Sequence, residues 1–120
     1  MLHTDLPIHR AGVQLLAFAI EAQAQMPRAM KRHLGEKIVS HCTEMLDLMA
    51  LANATLKEER AQHIHALLKH QRATIVLLRV GHDGRYLSTR LWSHLVQVLD
   101  SIGKQGGGWL KKTSNAAPAA

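Results

Sequence analysis

A chain of 120 residues, 47% of them apolar and 20% charged, is long enough for one domain with a real core and too apolar for disorder. Aromatics make up only 3%, so that core is aliphatic, and the lone Cys42 excludes an intramolecular disulfide. The net charge is +6, no apolar run approaches the ~20 residues of a bilayer span, and no charged-then-apolar leader is present, so a soluble cytoplasmic protein is expected.

Residues 1–7 read as a lead-in, with Asp5 placed to cap a helix and Pro7 suited to its first turn. Helix one is expected from about Ile8 to Gln25, with Val13, Leu16, Ala17, Ile20 and Ala24 facing inward. At ~100° per residue, Leu15, Phe18 and Ala22 form a second apolar strip on nearly the opposite side. A single bundle buries one side only, so this second strip is assigned to self-association, with Phe18 under a neighbouring loop as the alternative. Met26-Pro27 ends helix one, because the residue before a proline avoids the helical region.

Helix two is expected from about Arg28 to Asn53. Met30, Leu34, Ile38, Met45, Met49 and Ala52 form its inward face, with Cys42 beside them. Thr55 and Glu58 read as a capping box for helix three, about Leu56 to Val80. Its inward spacing is Ile64, Leu67, Leu68, Gln71 (a polar interruption), Ile75 and Leu78. Gly81 and Gly84 supply the conformational freedom for a corner. Ser88 then caps helix four, and Leu87 before it is placed to pack on Trp92 as a hydrophobic staple.

Helix four faces inward with Leu91, Leu95, Val98 and Ile102. Trp109 falls seven residues after Ile102 on the same face, so the helix is carried through Gly103 and Gly106-Gly107-Gly108 to about Lys112. A flexible linker competes, since each glycine costs ~1 kcal/mol in a helix interior. Residues 1–112 are thus one domain and 113–120 a disordered tail. Short corners make the fold an all-α, up-down-up-down four-helix bundle.

The charge is unevenly spread. Residues 1–60 carry seven Lys/Arg and seven acids, whereas residues 61–120 carry eight against only Asp83 and Asp100. The antiparallel topology places the start of helix two, the end of helix three and the start of helix four at one pole. That pole gathers Arg28, Lys31, Arg32, Arg79, Arg85 and Arg90, with His33, His82 and His94. Two helix N-termini point the same way, adding their partial positive charge. At helical spacing Lys69 and Arg72 align with Arg79 on helix three, and Lys104 with Arg90 on helix four. Arginine forks fit phosphate oxygens, and with so few aromatics for base stacking, contact to the phosphate backbone is expected over base readout. A merely solvated basic surface is the bland alternative.

Catalytic and metal constellations are weak. His63 and His65 sit ~200° apart on a helix and cannot share an ion. His41-Cys42 has no further ligands in sequence, no Cys-x-x-Cys or His-Glu-x-x-His occurs, and the few carboxylates are scattered. Neither an enzyme nor a metal or cofactor protein is expected.

With these residues laid out, the chain resembles the accessory variability determinant proteins of diversity-generating retroelements. They belong to a wider group of small four-helix bundles that includes proteins encoded in ribosomal RNA intervening sequences. The resemblance covers about Leu6 to Lys112. It rests on Pro27-Arg28 with Leu34-Gly35, on Leu77-Leu78-Arg79, on Leu87-Ser88, and most specifically on the segment from Ile102 through Gly106-Gly107-Gly108-Trp109 to Lys111. The extra glycine there departs from the family pattern.

The resemblance implies a non-enzymatic partner of a reverse transcriptase. Family members assemble as homopentamers with basic surfaces, and bind nucleic acid and the transcriptase during adenine-directed mutagenic copying of template RNA. Family-level phosphate contacts would fall on Arg72, Arg79, Arg85, Arg90 and Lys104. Subunit contacts would fall on Leu15, Phe18 and Ala22 and on Trp92, Val96 and Leu99. The reading is therefore an oligomeric accessory protein that binds RNA and DNA through the phosphate backbone. The alternative is a self-associating structural bundle that docks a protein and leaves nucleic acid alone.

Overall fold

The computed structural model describes residues 2–116, and among them it forms an all-α four-helix bundle. After a 3-10 turn at His3–Asp5, α1 spans Pro7–Gln25. The second helix, α2, covers residues 28–54 as Arg28–Met30, a π-helical stretch Lys31–Gly35 and Glu36–Ala54. Helix α3 is Lys57–Asp83 and α4 is Thr89–Ala116. Each helix packs on its two neighbours in the order α1, α2, α3, α4 and back to α1. The rod so formed measures 53 × 24 × 21 Å.

The buried face of α1 is the opposite of the expected one. Ile8, Gly12, Leu15, Ala19, Ala22 and Met26 are inside; of the expected face Leu16 alone stays half-buried against the core, while Val13 and Ile20 are each about half exposed and Ala17 and Ala24 lie outside. Both faces carry helical spacing; closeness of approach chooses between them. A Cβ at Gly12 would stand 2.8 Å from Leu46 Cδ2 and 3.0 Å from Met49 Cε, so the small-residue seam lets α1 sink against α2. Leu15 and Ala22, expected at a subunit contact, are consequently core residues. Leu99 is too, for it is fully buried and takes the inward place expected of the half-buried Val98.

On α3, Ile75, expected inside, is exposed, and Thr74 beside it is buried instead. Thr74 satisfies its hydroxyl by donating to the His70 carbonyl at 2.7 Å. Gln71 is a pillar rather than an interruption: its Nε2 donates to the Leu99 carbonyl at 3.0 Å. A Cβ at Gly103 would lie 2.8 Å from that nitrogen, so glycine there makes room for the bridge between α3 and α4.

The caps also differ from expectation. Leu6, not Asp5, stands at the N-cap of α1, without a side-chain bond. Thr55 donates backwards to the Leu51 carbonyl at 2.8 Å and makes no capping box with Glu58. Arg60 helps close the same end of α2, giving its Nε to the Ala52 carbonyl at 2.8 Å. Ser88 does cap α4, accepting from the Leu91 amide at 3.2 Å.

Helix α4 runs unbroken through its glycines, and residues 113–116, expected in the tail, continue it; the rest of that tail, residues 117–120, lies outside the described residues. Thr113 is buried and donates to the Trp109 carbonyl at 2.8 Å. Trp109 itself is half-buried, with the Arg60 guanidinium 5.9 Å from its ring.

The glycines of α4 separate into two kinds. A Cβ at Gly107 or Gly108 would meet nothing within 4 Å. Gly107→Ala and Gly108→Ala should each raise unfolding free energy by about 1 kcal/mol, whereas Gly103→Ala should lose about 1–3 kcal/mol by displacing the Gln71 amide; urea denaturation distinguishes them.

Helices α2 and α3 also share a histidine pair, with His41 Nδ1 and His70 Nδ1 hydrogen-bonded at 2.8 Å. Burial first, and His70 second, hold His41 below its ordinary value of 6.5, while Glu44 opposes them. Below that value the unfolded chain binds more protons than the folded one, so His41 withdraws stability as pH falls from 6.5 toward its depressed value. His9 acts with the same sign, through burial and His3. Denaturation midpoints at pH 7.5 and about 5.5 should therefore converge in His41→Gln relative to the unaltered chain, and an unchanged gap would contradict this.

Candidate nucleic-acid interface

Four helix ends meet at one pole, and direct contacts locate them. Gln23 Nε2 of α1 donates to the Lys31 carbonyl of α2 at 3.2 Å. A Cβ at Gly81 of α3 would touch Leu34 of α2 at 3.1 Å and Leu87 at 3.5 Å. Arg90 of α4 reaches Glu21 of α1 at 2.8 Å. Arg28, Lys31, Arg32, Arg79, Arg85 and Arg90 are therefore gathered at the same tip, and all six are exposed.

The start of α2 is shaped by its π turn. The Glu36 amide closes the wide turn on the Lys31 carbonyl, which also accepts from Gln23. A Cβ at Gly35 would lie 2.6 Å from Gln23 Cγ, so α1 crosses there at close range. Leu34, Ile38 and Cys42 are all buried at four-residue steps, which overrun an ordinary α turn by ~40° each. The wide turn absorbs part of that drift while presenting Lys31, Arg32 and His33 to solvent. Arg28, Lys31, Arg32 and His33 line an open cleft of about 680 Å³ with Gln23 and Glu36.

The corner between α3 and α4 is a Schellman turn. The Tyr86 amide bonds the Gly81 carbonyl at 2.9 Å and the Arg85 amide bonds the His82 carbonyl at 3.1 Å. The left-handed position of this motif, normally glycine, is held by Arg85 at φ 61°. Gly84 is right-handed at φ −79°, and is glycine because a Cβ would collide with the Tyr86 ring. The expected use of glycine thus holds for space rather than for conformation. Arg85, Tyr86, Ser88 and Thr89 line a second open cleft of about 690 Å³, with His82 and Gln25 on its wall. Tyr86, Gln23, Gln25 and Thr89 were not legible as site residues, since only the corner geometry brings them there.

Carboxylates engage part of the set. Arg90 pairs with Glu21 at 2.8 Å, Arg79 with Asp83 at 3.7 Å and Lys104 with Asp100 at 3.2 Å. These pairs are solvent-exposed, a class worth ~0–1 kcal/mol. Among the described residues no carboxylate pairs with Arg28, Lys31, Arg32, Lys69, Arg72 or Arg85. Lys69 and Arg72 are exposed but stand ~10–15 Å below Arg79 along α3, and Lys104 ~21 Å below Arg90 along α4. They belong to the walls rather than to the tip. His82 stacks on Trp92 at 4.2 Å with its Nδ1 3.8 Å from Asp83, and the exposed His94 stacks on Phe18 at 5.0 Å.

Two apolar surfaces accompany the charges. Ile75, Val76 and Val80 of α3 form, with Trp92 and Val96 of α4, an open groove of about 430 Å³ edged by Arg79. Val13, Ala17, Ile20 and Ala24 form the outward strip of α1. Cys42 is fully buried, and burial pushes its thiol up to about 12. It offers no thiolate nucleophile. Among the described residues no helix is long and apolar enough to cross a membrane. Compared with protein-family models, curated proteins and solved structures, the chain matches none.

A left-handed arginine costs roughly 1 kcal/mol where glycine costs nothing. Arg85→Gly should therefore raise the melting temperature by a few degrees while removing a cation from the tip. Scanning calorimetry checks the first effect, and a lower melting temperature would mean the Arg85 side chain is structural.

Proposed function

We propose that this protein is a non-enzymatic nucleic-acid-binding scaffold, an accessory to a retroelement reverse transcriptase acting on template RNA or its DNA copy. The observation that carries the reading is the gathering of six exposed cations, four of them without a carboxylate partner, around the N-termini of two long helices. Open clefts on either side leave room for phosphates. Phosphate oxygens would exchange for Glu21 and Asp83 at Arg90 and Arg79 at small cost, because both pairs are already wet. The link to a transcriptase, and a cytoplasmic site of action, rest on the resemblance to accessory variability determinant proteins.

In this reading the chain works as a ring-like homo-oligomer, five-fold by the same resemblance. The outward strip of α1, Val13, Ala17 and Ile20, suits the α3–α4 groove of a neighbouring copy, with Trp92 and Val96 at its floor. Such a contact joins different surfaces, so repetition builds a ring, where the rotation closes, instead of a two-fold pair. The apolar groove also supports the second reading, a bundle that docks a protein partner and has only incidental charge.

Salt separates the two. Binding of a 20-nucleotide RNA or DNA should weaken steeply between 50 and about 200 mM salt through counterion release. The triple variant Arg28→Gln, Arg32→Gln, Arg85→Gly should flatten the log–log slope by about 2–3 and keep the bundle's circular dichroism. Absence of binding by micromolar protein at low salt would overturn the proposal.

A further inference from the structure

We propose that His41 and His70 form a divalent transition-metal site, a two-imidazole staple between α2 and α3. The pair is independent of the cationic tip. Each histidine stands mid-way along a long helix, and their Nδ1 atoms are 2.8 Å apart, with ring centroids at 5.1 Å and planes tilted by 57°. Both residues are half-buried, so an ion can enter while the backbones around it are fixed.

The separation selects among metals. With metal–nitrogen bonds of ~2.0–2.1 Å, two nitrogens at this spacing subtend ~85° at the ion. That is the cis angle of tetragonal or octahedral sites rather than the wider tetrahedral angle zinc prefers in closed sites. Geometry and the Irving–Williams order therefore both point to Cu²⁺ and Ni²⁺. Calcium and magnesium, which take oxygen ligands, are poor candidates.

The present hydrogen bond needs one Nδ1 protonated and the other bare. Metal entry requires both to be bare, and the proton moves to Nε2 of the same ring. Two neutral imidazoles then ligate, with no net proton released. Glu44 on the same helix adds negative charge near His41. Among the described residues no group of three His, Cys, Asp or Glu could hold an ion, so water completes the shell and the site exchanges its metal readily.

Thermal melting with millimolar NiCl₂, then with excess EDTA, tests the proposal. The unaltered chain should gain on the order of 3–6 °C, reversed by EDTA, and His41→Gln and His70→Gln should each lose the gain. His3→Ala should retain it, because the His3–His9 pair, at 5.0 Å between rings, is the competing imidazole cluster. Substoichiometric Cu²⁺ should broaden the ring resonances of His41 and His70 before those of the other histidines, a readout needing no variant. No gain, a gain that survives either glutamine variant, or broadening that begins at His3 would each overturn the proposal.

Discussion

The bond from the Gln71 amide to the Leu99 carbonyl fixes how α3 lies against α4, and much else follows from that register. It is made in the space left by Gly103, where any side chain would strike the amide. With Gln71 held at this level, the helices run to a common tip, and Gly81 packs where α2 begins. Among the described residues no buried side-chain nitrogen or oxygen lacks a partner. The glutamine thus sits inside an aliphatic core without the penalty an unpaired amide brings.

Register then becomes electrostatics. Helix α4 starts where α3 stops, so Arg85 and Arg90 arrive beside Arg79, and α2 brings Arg28, Lys31 and Arg32 to the same height. Interactions among these like charges are screened in water, but together they raise the local anion concentration. The neutralising acids are exposed and few, and the Schellman turn that ends α3 carries an arginine at φ 61° where glycine is the usual residue.

Reading the residues alone recovered the helix count, the corners, the Ser88 cap and the polar gathering of cations, because periodicity and short connections decide these. It failed where two patterns competed on equal terms. Helix α1 carries two apolar faces, and the winning seam is the one with Gly12, Ala19 and Ala22, since small residues permit closer contact than Val13 and Ile20 do. Thr74 displaced Ile75 because its hydroxyl closes on its own helix and so costs nothing to bury. Subunit contacts assigned to Leu15, Ala22 and Leu99 fell with the same misjudged faces. His41 and His70, 29 residues apart, meet only through the packing of two helices, which no local spacing announces.

The wide turn at Lys31–Gly35 holds more residues than an ordinary helical turn. Deleting one residue there would let the segment relax to plain α-helix, losing the surplus residue while Arg28 on one side and Ile38 on the other keep nearly their present directions. The cationic start of α2 can thus shed a residue by a single-codon deletion and keep its aim, a step of variation that elsewhere in a packed bundle would throw every following residue out of phase.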